Sequence, residues 1–209
     1  MTDIAIYGAG GFGKEVNLII QQLIKKGHPY HFLGFFDDED KSSEFGNSYL
    51  GNIEKLNKWK TPISIALGIG NGKIRKKVVE RITNPKVAFS KVISPYAIFN
   101  DIIQIGTGSV ICAGANFTTN IKMEDFVVVN LNATVGHDCH LGNYSSVMPG
   151  ANLAGDVKLR ECAFVGSGAN ILNGIEMAEN SILGSGGVLT KSLKASKTAI
   201  GVPAKIIEK

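Results

Sequence analysis

Residues 132–147 read NATVGHDCHLGNYSSV. An aliphatic residue recurs at every sixth position, Val135, Leu141 and Val147, and a small residue stands two places before each, Ala133, Cys139 and Ser145. A helix repeats its buried face every 3.6 residues and a two-faced strand every two; a period of six is neither. Followed outward, the phase holds without insertion from Ile93, Phe99, Ile105 and Ile111 to Ile171, Met177, Leu183 and Leu189, seventeen hexads in all. Small or β-branched residues keep the second phase, as at Ala97, Ser109, Ala115, Val127, Ala151, Ala163 and Ala169, and glycine often follows the aliphatic residue, as at Gly106, Gly142 and Gly166. This pattern predicts a parallel β-helix of triangular section, in which one hexad makes a flat side and a corner and three make an 18-residue coil. Seventeen hexads give between five and six coils, each rising ~4.8 Å, the spacing of hydrogen-bonded strands. A solenoid has two open ends that need cover. The preceding domain is expected to cover one, and the tail KTAIGVPAKIIEK, residues 197–209, the other.

Before residue 90 the pattern is different. DIAIYG (3–8), YHFLGFFDD (30–38) and ISIALGIG (63–70) read as strands, and KEVNLIIQQLIKKG (14–27) and NGKIRKKVVERI (71–82) as helices. Strand and helix alternating in this way predict a small parallel sheet with helices on its faces. Between the first strand and first helix, Gly8, Gly10 and Gly13 spell G-x-G-x-x-G, with Gly11 inside the motif. Such a loop brings backbone close to a ligand and opens onto a helix N-terminus that favours an anion. Asp37 and Asp38 end the second strand, where a dinucleotide fold places its ribose-binding acid. That combination alone suggests a nicotinamide cofactor. Yet no second mononucleotide unit follows, because the hexads begin, and half of such a fold holds a mononucleotide. Gly70 and Asn71 read as a second loop on the same pocket, and the basic run KIRKK (73–77) as a solvated helix face.

A net charge of +4 is too weak to argue for nucleic acid, although it suits an anionic small molecule. No run of 18 apolar residues exists for membrane insertion, the N-terminus lacks the pattern of a secretion signal, and three unpaired cysteines suit a reducing cytoplasm. In the hexad from Val135 to His140, Val135 and Cys139 take the inward positions, so His137 and His140 should lie outside the prism. Two histidines fall short of the three protein ligands usual for catalytic zinc, and His28 and His31 belong to the other domain, so no metal is expected. An exposed histidine does suit proton transfer near neutral pH.

The hexads and the GVPAK tail resemble the hexapeptide-repeat acyltransferases. IYGAGGFGKE, GFFDD, ALGIGNGKIRKK, NATVGHDC and IGVPAKII extend the likeness, over nearly the whole chain, to the sialic acid O-acetyltransferase and nucleotide-4-amino-sugar N-acetyltransferase subfamily. The resemblance implies a left-handed β-helix, with residues 1–88 as a Rossmann-like nucleotide-sugar-binding domain and residues 89–209 as the acyltransferase domain and tail. It implies acetyl-CoA as co-substrate, a nucleotide-linked amino sugar as acceptor, a homotrimer with donor grooves between adjacent prisms, and a role in bacterial surface glycan synthesis. By the same resemblance His137 is the general base, Asp138 its orienting acid, and the backbone N–H of Gly155, one coil later, the oxyanion donor. Gly8, Gly10, Gly11, Gly13, Asp37, Asp38, Gly70 and Asn71 would hold the acceptor. Ser146, Gly155, Gly184, Gly186 and Gly201 would line the acetyl-CoA site; the family often has histidine where Ser146 stands. No catalytic role falls to His140. O-acetylation of a sialic acid or related sugar is the nearest alternative, and a non-catalytic β-helical assembly module the alternative of another class.

Overall fold

The computed structural model describes residues 1–100 and 103–207. The first domain runs β1 (Thr2–Tyr7), α1 (Gly11–Lys25), β2 (Tyr30–Phe36), α2 (Ser42–Phe45), β3 (Tyr49–Gly51), α3 (Ile53–Asn57), β4 (Ile63–Leu67), α4 (Gly72–Arg81) and β5 (Val87–Phe89). Its sheet is parallel throughout, in the order β3-β2-β1-β4-β5. Strands β3 and β5 go beyond the three read from sequence; each is three residues long, too short to show a period. α1 buries Val16, Ile19, Ile20 and Leu23 against Ile4 and Ile6 of β1. The order reverses at β1, whose successor β2 lies on one side and β4 on the other, so the loops after β1 and β4 flank a topological switch point. That is where an open α/β sheet forms its ligand crevice.

Every hexad read from the sequence is a two-residue strand, from Val92–Ile93 to Val188–Leu189, and the second residue of each is the periodic apolar one. The strands form three parallel sheets, the sides of a left-handed β-helix. The first runs from Ile98–Phe99 to Val188–Leu189 and the second from Gln104–Ile105 to Glu176–Met177. The third starts at Val92–Ile93 and passes through Ile182–Leu183 to Thr198–Ile200 and the antiparallel Lys205–Ile207. The register is 18 residues, with Asn116 beside Thr134 and Thr134 beside Asn152. Phe117, Val135, Leu141, Val147, Leu153 and Leu159, with Ala133, Cys139 and Ala151, form one continuous core. Truncating one such side chain, as in Leu141→Ala, costs about 2–5 kcal/mol.

The corners show why the hexad tolerates few residues there. Every sixth residue from Gly108 to Gly186 has φ between 54° and 72°, a region that suits Gly, Asn and Asp. Those residues fill most corners, Asn120, Asn132, Asp138, Asp156 and Gly186 among them. Phe126, Tyr144 and Cys162 are the exceptions, and all three stand on the corner between the second and third faces. There Phe126 meets Phe89 edge to face, with centroids 5.1 Å apart, and Tyr144 stacks on Phe126 at 4.9 Å. Contact with the first domain thus offsets unfavourable backbone geometry.

The first domain does not cover an end of the solenoid. It lies on the third face, where α1 packs over the outward side chains Val92, Val110 and Val128. Those positions are valine because they are buried, whereas the outward positions of the second face, Lys122, His140 and Lys158, are polar. At the first coil, among the described residues, Phe99 stacks on Phe117 of the next coil and stays 36% exposed. The tail does cover the last coil, with Ala199 buried, Ala204 against the core, and Ala204 N–H donating to Val188 O at 2.8 Å. Residues 208 and 209 of that tail lie outside the described residues. Among the described residues no helix is long and apolar enough to cross a membrane.

Candidate active site

His137 and Asp138 sit on the corner between the first and second faces. Val135 and Cys139 point inward and are 1% exposed, which turns the imidazole outward. Asp138 has φ +61°, and this left-handed turn swings its carboxylate back beside the preceding ring. Asp138 Oδ2 lies 2.7 Å from His137 Nδ1. A carboxylate can only accept, so Nδ1 carries a proton, and in the neutral ring Nε2 presents its lone pair. Asp138 Oδ1 accepts from Asn120 Nδ2 at 2.5 Å. Asn120 occupies the same corner one coil earlier, a partner that a residue-by-residue reading misses and that the 18-residue register would have pointed to. The His137 hydrogen bond, then that from Asn120, holds the Asp138 carboxyl below the usual aspartate range, so it stays ionised.

Gly155 stands one coil later, under the ring. A Cβ added there would lie 2.4 Å from both Cε1 and Nε2 of His137. The imidazole therefore rests directly on the Gly155 backbone, in space that only glycine leaves. The coil fixes this contact, because Asp156 N–H donates to His137 O at 2.8 Å. The Gly155 N–H makes no hydrogen bond among the described residues. A free backbone donor beside an oriented imidazole is an arrangement suited to stabilising an oxyanion.

His140 is separate from this group. It projects from the second face, where its Nε2 lies 2.8 Å from Glu124 Oε1, while Glu124 Oε2 accepts from the Asn143 N–H at 3.0 Å. Cys139 is a core residue whose thiol burial pushes up to about 11. Among the described residues no three His, Cys, Asp or Glu side chains converge on a common point.

The glycine loop lies in the switch-point crevice, interlocked with the loop after β4. A Cβ on Gly13 would lie 1.9 Å from Gly8 O, and one on Gly8, where φ is +105°, would lie 2.8 Å from Gly68 O. Gly8, Gly13 and Gly68 are thus required for closeness between backbones. Gly10 and Gly11 are different: a Cβ there meets nothing within 4 Å, so they stay open towards the crevice. Gly10 is the N-cap of α1 and no side chain caps that helix.

Several expectations need correction. Asp37 does not hang free at the end of β2: its Oδ2 accepts from Ala9 N–H at 2.7 Å and its Oδ1 from Glu39 N–H at 3.0 Å, so it braces the glycine loop from behind. Asp38 accepts from Tyr7 Oη at 2.7 Å and from both terminal nitrogens of Arg81, at 2.7 and 3.1 Å. Arg81 is the main cause of its lowered pKa. Both carboxylates keep acceptor capacity beside these bonds, and the Asp38 side chain is 45% exposed. Asn71 caps α4, its Oδ1 accepting from Ile74 N–H at 3.2 Å, while Gly70 O accepts from Ser146 Oγ at 2.8 Å. Ser146 is fully buried under that loop, so its hydroxyl cannot reach a donor molecule. KIRKK is not uniformly solvated either: Arg75 is 0% exposed. Gly186 is a left-handed corner (φ +67°), Gly184 leaves room for Ile200, and Gly201 has φ +91°; all three belong to the last turns of the chain.

The His137 corner and the crevice do not meet within one chain. His137 stands on the prism edge opposite the third face, and the crevice belongs to the domain lying on that face. A motif search would not have exposed this separation; it follows from which face carries the valines.

Residues 3–82 match the family described as the PglD N-terminal domain. GDP-perosamine N-acetyltransferase of Escherichia coli O157:H7 is 32% identical over 172 residues, which cover 80% of this chain and 76% of that protein. The acetyltransferase domain of PglB from Neisseria gonorrhoeae FA1090, solved with acetyl coenzyme A, superposes with a TM-score of 0.88 at 30% identity, covering 98% of both chains. PerB from Caulobacter crescentus, solved with CoA and GDP-perosamine, gives a TM-score of 0.84 at 27% identity, covering 100% of this chain and 98% of that one.

Proposed function

Because the chain belongs to the nucleotide-amino-sugar acetyltransferases of the hexapeptide-repeat type, we propose that it transfers the acetyl group of acetyl-CoA to the amine of a nucleotide-linked 4-amino sugar. We place this step in bacterial surface glycan biosynthesis, in the cytoplasm. The arrangement of His137, Asp138 and Gly155 at one corner carries this reading. His137 Nε2 takes a proton from the acceptor amine as its nitrogen attacks the thioester carbonyl. Asp138, held ionised and itself oriented by Asn120, fixes the tautomer and offsets the charge that forms on the imidazole. The oxyanion of the tetrahedral intermediate receives the free N–H of Gly155. Collapse expels the coenzyme A thiolate, which is protonated, and leaves the amide.

Residues 1–88 hold the acceptor nucleotide at the switch point, and residues 89–209 supply the chemistry. The open backbone of Gly10 and Gly11 and the uncapped start of α1 suit a diphosphate. Because the crevice and His137 lie on opposite sides of one prism, the acceptor of one chain meets His137 of a neighbour, which supports a trimer closed about a three-fold axis. The acetyl-CoA pantetheine lies in the groove between prisms, along the coils after Gly155 towards Gly184, Gly186 and Gly201.

A panel of GDP- and UDP-linked 4-amino sugars with acetyl-CoA, followed by thiol release and mass analysis, tests the reaction. Acetyl gain on the sugar nitrogen is expected; turnover of sialic acid alone would replace the acceptor class. Sedimentation should give three times the 22.3 kDa chain mass. Mixed trimers of His137→Ala and Gly10→Val chains should regain part of the activity that each lacks alone, and mixtures that stay inactive would refute a site shared between chains.

A further inference from the structure

Arg75 has the largest side chain among those fully buried in the protein, and the reaction as derived makes no use of it. It leaves α4 beside the exposed Ile74 and enters the seam between the two domains. All five guanidinium N–H groups are used. Nε donates to Phe126 O at 2.9 Å, and one terminal nitrogen to Ile69 O at 2.7 Å and Gly70 O at 3.0 Å. The other reaches Tyr144 O at 2.9 Å, Ser145 O at 3.0 Å and Ser146 Oγ at 3.1 Å. No carboxylate is among these partners. Burial pushes Arg75 down to about 10, so it is still a cation at neutral pH, neutralised only by carbonyl and hydroxyl dipoles.

A buried cation without an anion is a costly way to hold two domains together, and apolar contacts already do so: α1 covers Val92, Val110 and Val128, and Phe89 meets Phe126. Apolar contacts are not directional, however, and they permit the surfaces to slide. The guanidinium is a rigid planar fork that fixes one relative position. Its acceptors divide cleanly. Ile69 and Gly70 belong to the loop after β4, which forms one wall of the crevice against Gly8; Phe126, Tyr144, Ser145 and Ser146 belong to two successive coils. The approach is close enough to need glycine, since a Cβ on Gly72 would lie 2.0 Å from Tyr144 O.

We propose that Arg75 is a positioning residue for the acceptor: it locks the Gly68–Asn71 wall of the nucleotide crevice in register with the coil corners, so that acceptor binding depends on it and donor binding does not. This rests on the reading that the crevice holds the acceptor nucleotide. Lysine cannot substitute, because an ammonium has three donors and no fork.

The test compares wild type, Arg75→Lys, Arg75→Met and the core variant Leu141→Ala, all assayed well below their melting temperatures. Steady-state kinetics give the two KM values and kcat, calorimetry gives GDP and UDP affinity, and hydrogen exchange reports on residues 68–71. Arg75→Lys should raise the acceptor KM about tenfold or more, the scale of one lost hydrogen bond to a charged group, and speed exchange in the 68–71 loop. It should leave the acetyl-CoA KM within about twofold, roughly a third of a free-energy decade and too small to read as a specific loss. Arg75→Met should do the same if it folds. Leu141→Ala, which removes core volume and none of the Arg75 hydrogen bonds, should keep the wild-type acceptor KM. An Arg75→Lys enzyme that melts lower yet keeps the wild-type acceptor KM and nucleotide affinity would overturn the proposal and leave Arg75 a purely structural tie. Equal rises in both KM values would overturn it as well. Wild type that binds neither GDP nor UDP and acetylates no nucleotide sugar would instead overturn the acceptor reading, and this proposal with it.

Discussion

Gly155→Ala tests the proposed catalytic role of the His137 corner most directly, because the substitution adds one methyl group and keeps the backbone N–H. The added Cβ would lie 2.4 Å from His137 Nε2 and Cε1, against an ordinary contact of at least 3.4 Å, so the ring must retreat by about 1.0 Å. Gly155 is not at positive φ, so alanine brings no backbone strain there and the melting temperature should hold. A displacement of that size at a reacting group costs about 10²-fold in rate, or about 2.7 kcal/mol of barrier. The assay is thiol release from acetyl-CoA at saturating acceptor, with thermal melting alongside. The decisive comparison is a double-mutant cycle. His137→Ala alone should lower kcat by about 10²–10⁴-fold. If Gly155→Ala acts by displacing the ring, it should cost almost nothing more once the ring is gone. A loss of full size in the His137→Ala background would refute the steric reasoning and assign the effect to the Gly155 backbone itself. An unchanged rate for Gly155→Ala alone would refute the placement of the imidazole.

Around the same corner, kcat should fall most for His137→Ala, less for Asp138→Asn, less again for Asn120→Ala and least for His140→Ala. In the first domain, Gly13→Ala should destabilise the fold through its collision with Gly8 O, whereas Gly10→Val should melt like wild type and lose acceptor affinity, with coenzyme A affinity unchanged; equal losses of both ligands would reject the crevice as the acceptor site. Arg81 holds the Asp38 carboxyl below the ordinary aspartate value of 3.8, so this ion pair stabilises the fold above that pH, and its contribution is lost as pH falls through the lower folded value. The melting-temperature gap between wild type and Asp38→Asn should therefore be constant near neutrality and close on acidification below 3.8; it should also be small, because the pair is half exposed.

The β-helix was legible because its cause is local. A coil demands an inward apolar residue and a small residue at fixed offsets, so the period of six is written in any eighteen residues. The outward placement of His137 followed from the same bookkeeping of faces, as did the one-coil distance to Gly155. The parallel sheet and its glycine loop were legible through strand–turn–helix punctuation, although three-residue strands such as β3 were too short to carry a pattern. What the sequence could not express was contact between positions related only by how the two domains dock. Arg75 sits in a basic run that looks like a solvated face, and its burial is decided by carbonyls 51 to 70 residues away. Ser146 looks like an outward face residue and is buried because a loop from another domain closes over it. Asp37 and Asp38 have the spacing of ligand-binding acids, and only the fold shows that they also accept from the Ala9 N–H and from Arg81. Periodicity records which side of the backbone a residue faces; only the tertiary structure decides what lies on that side, because burial and hydrogen bonding between distant segments depend on their mutual placement and leave no repeat in the chain.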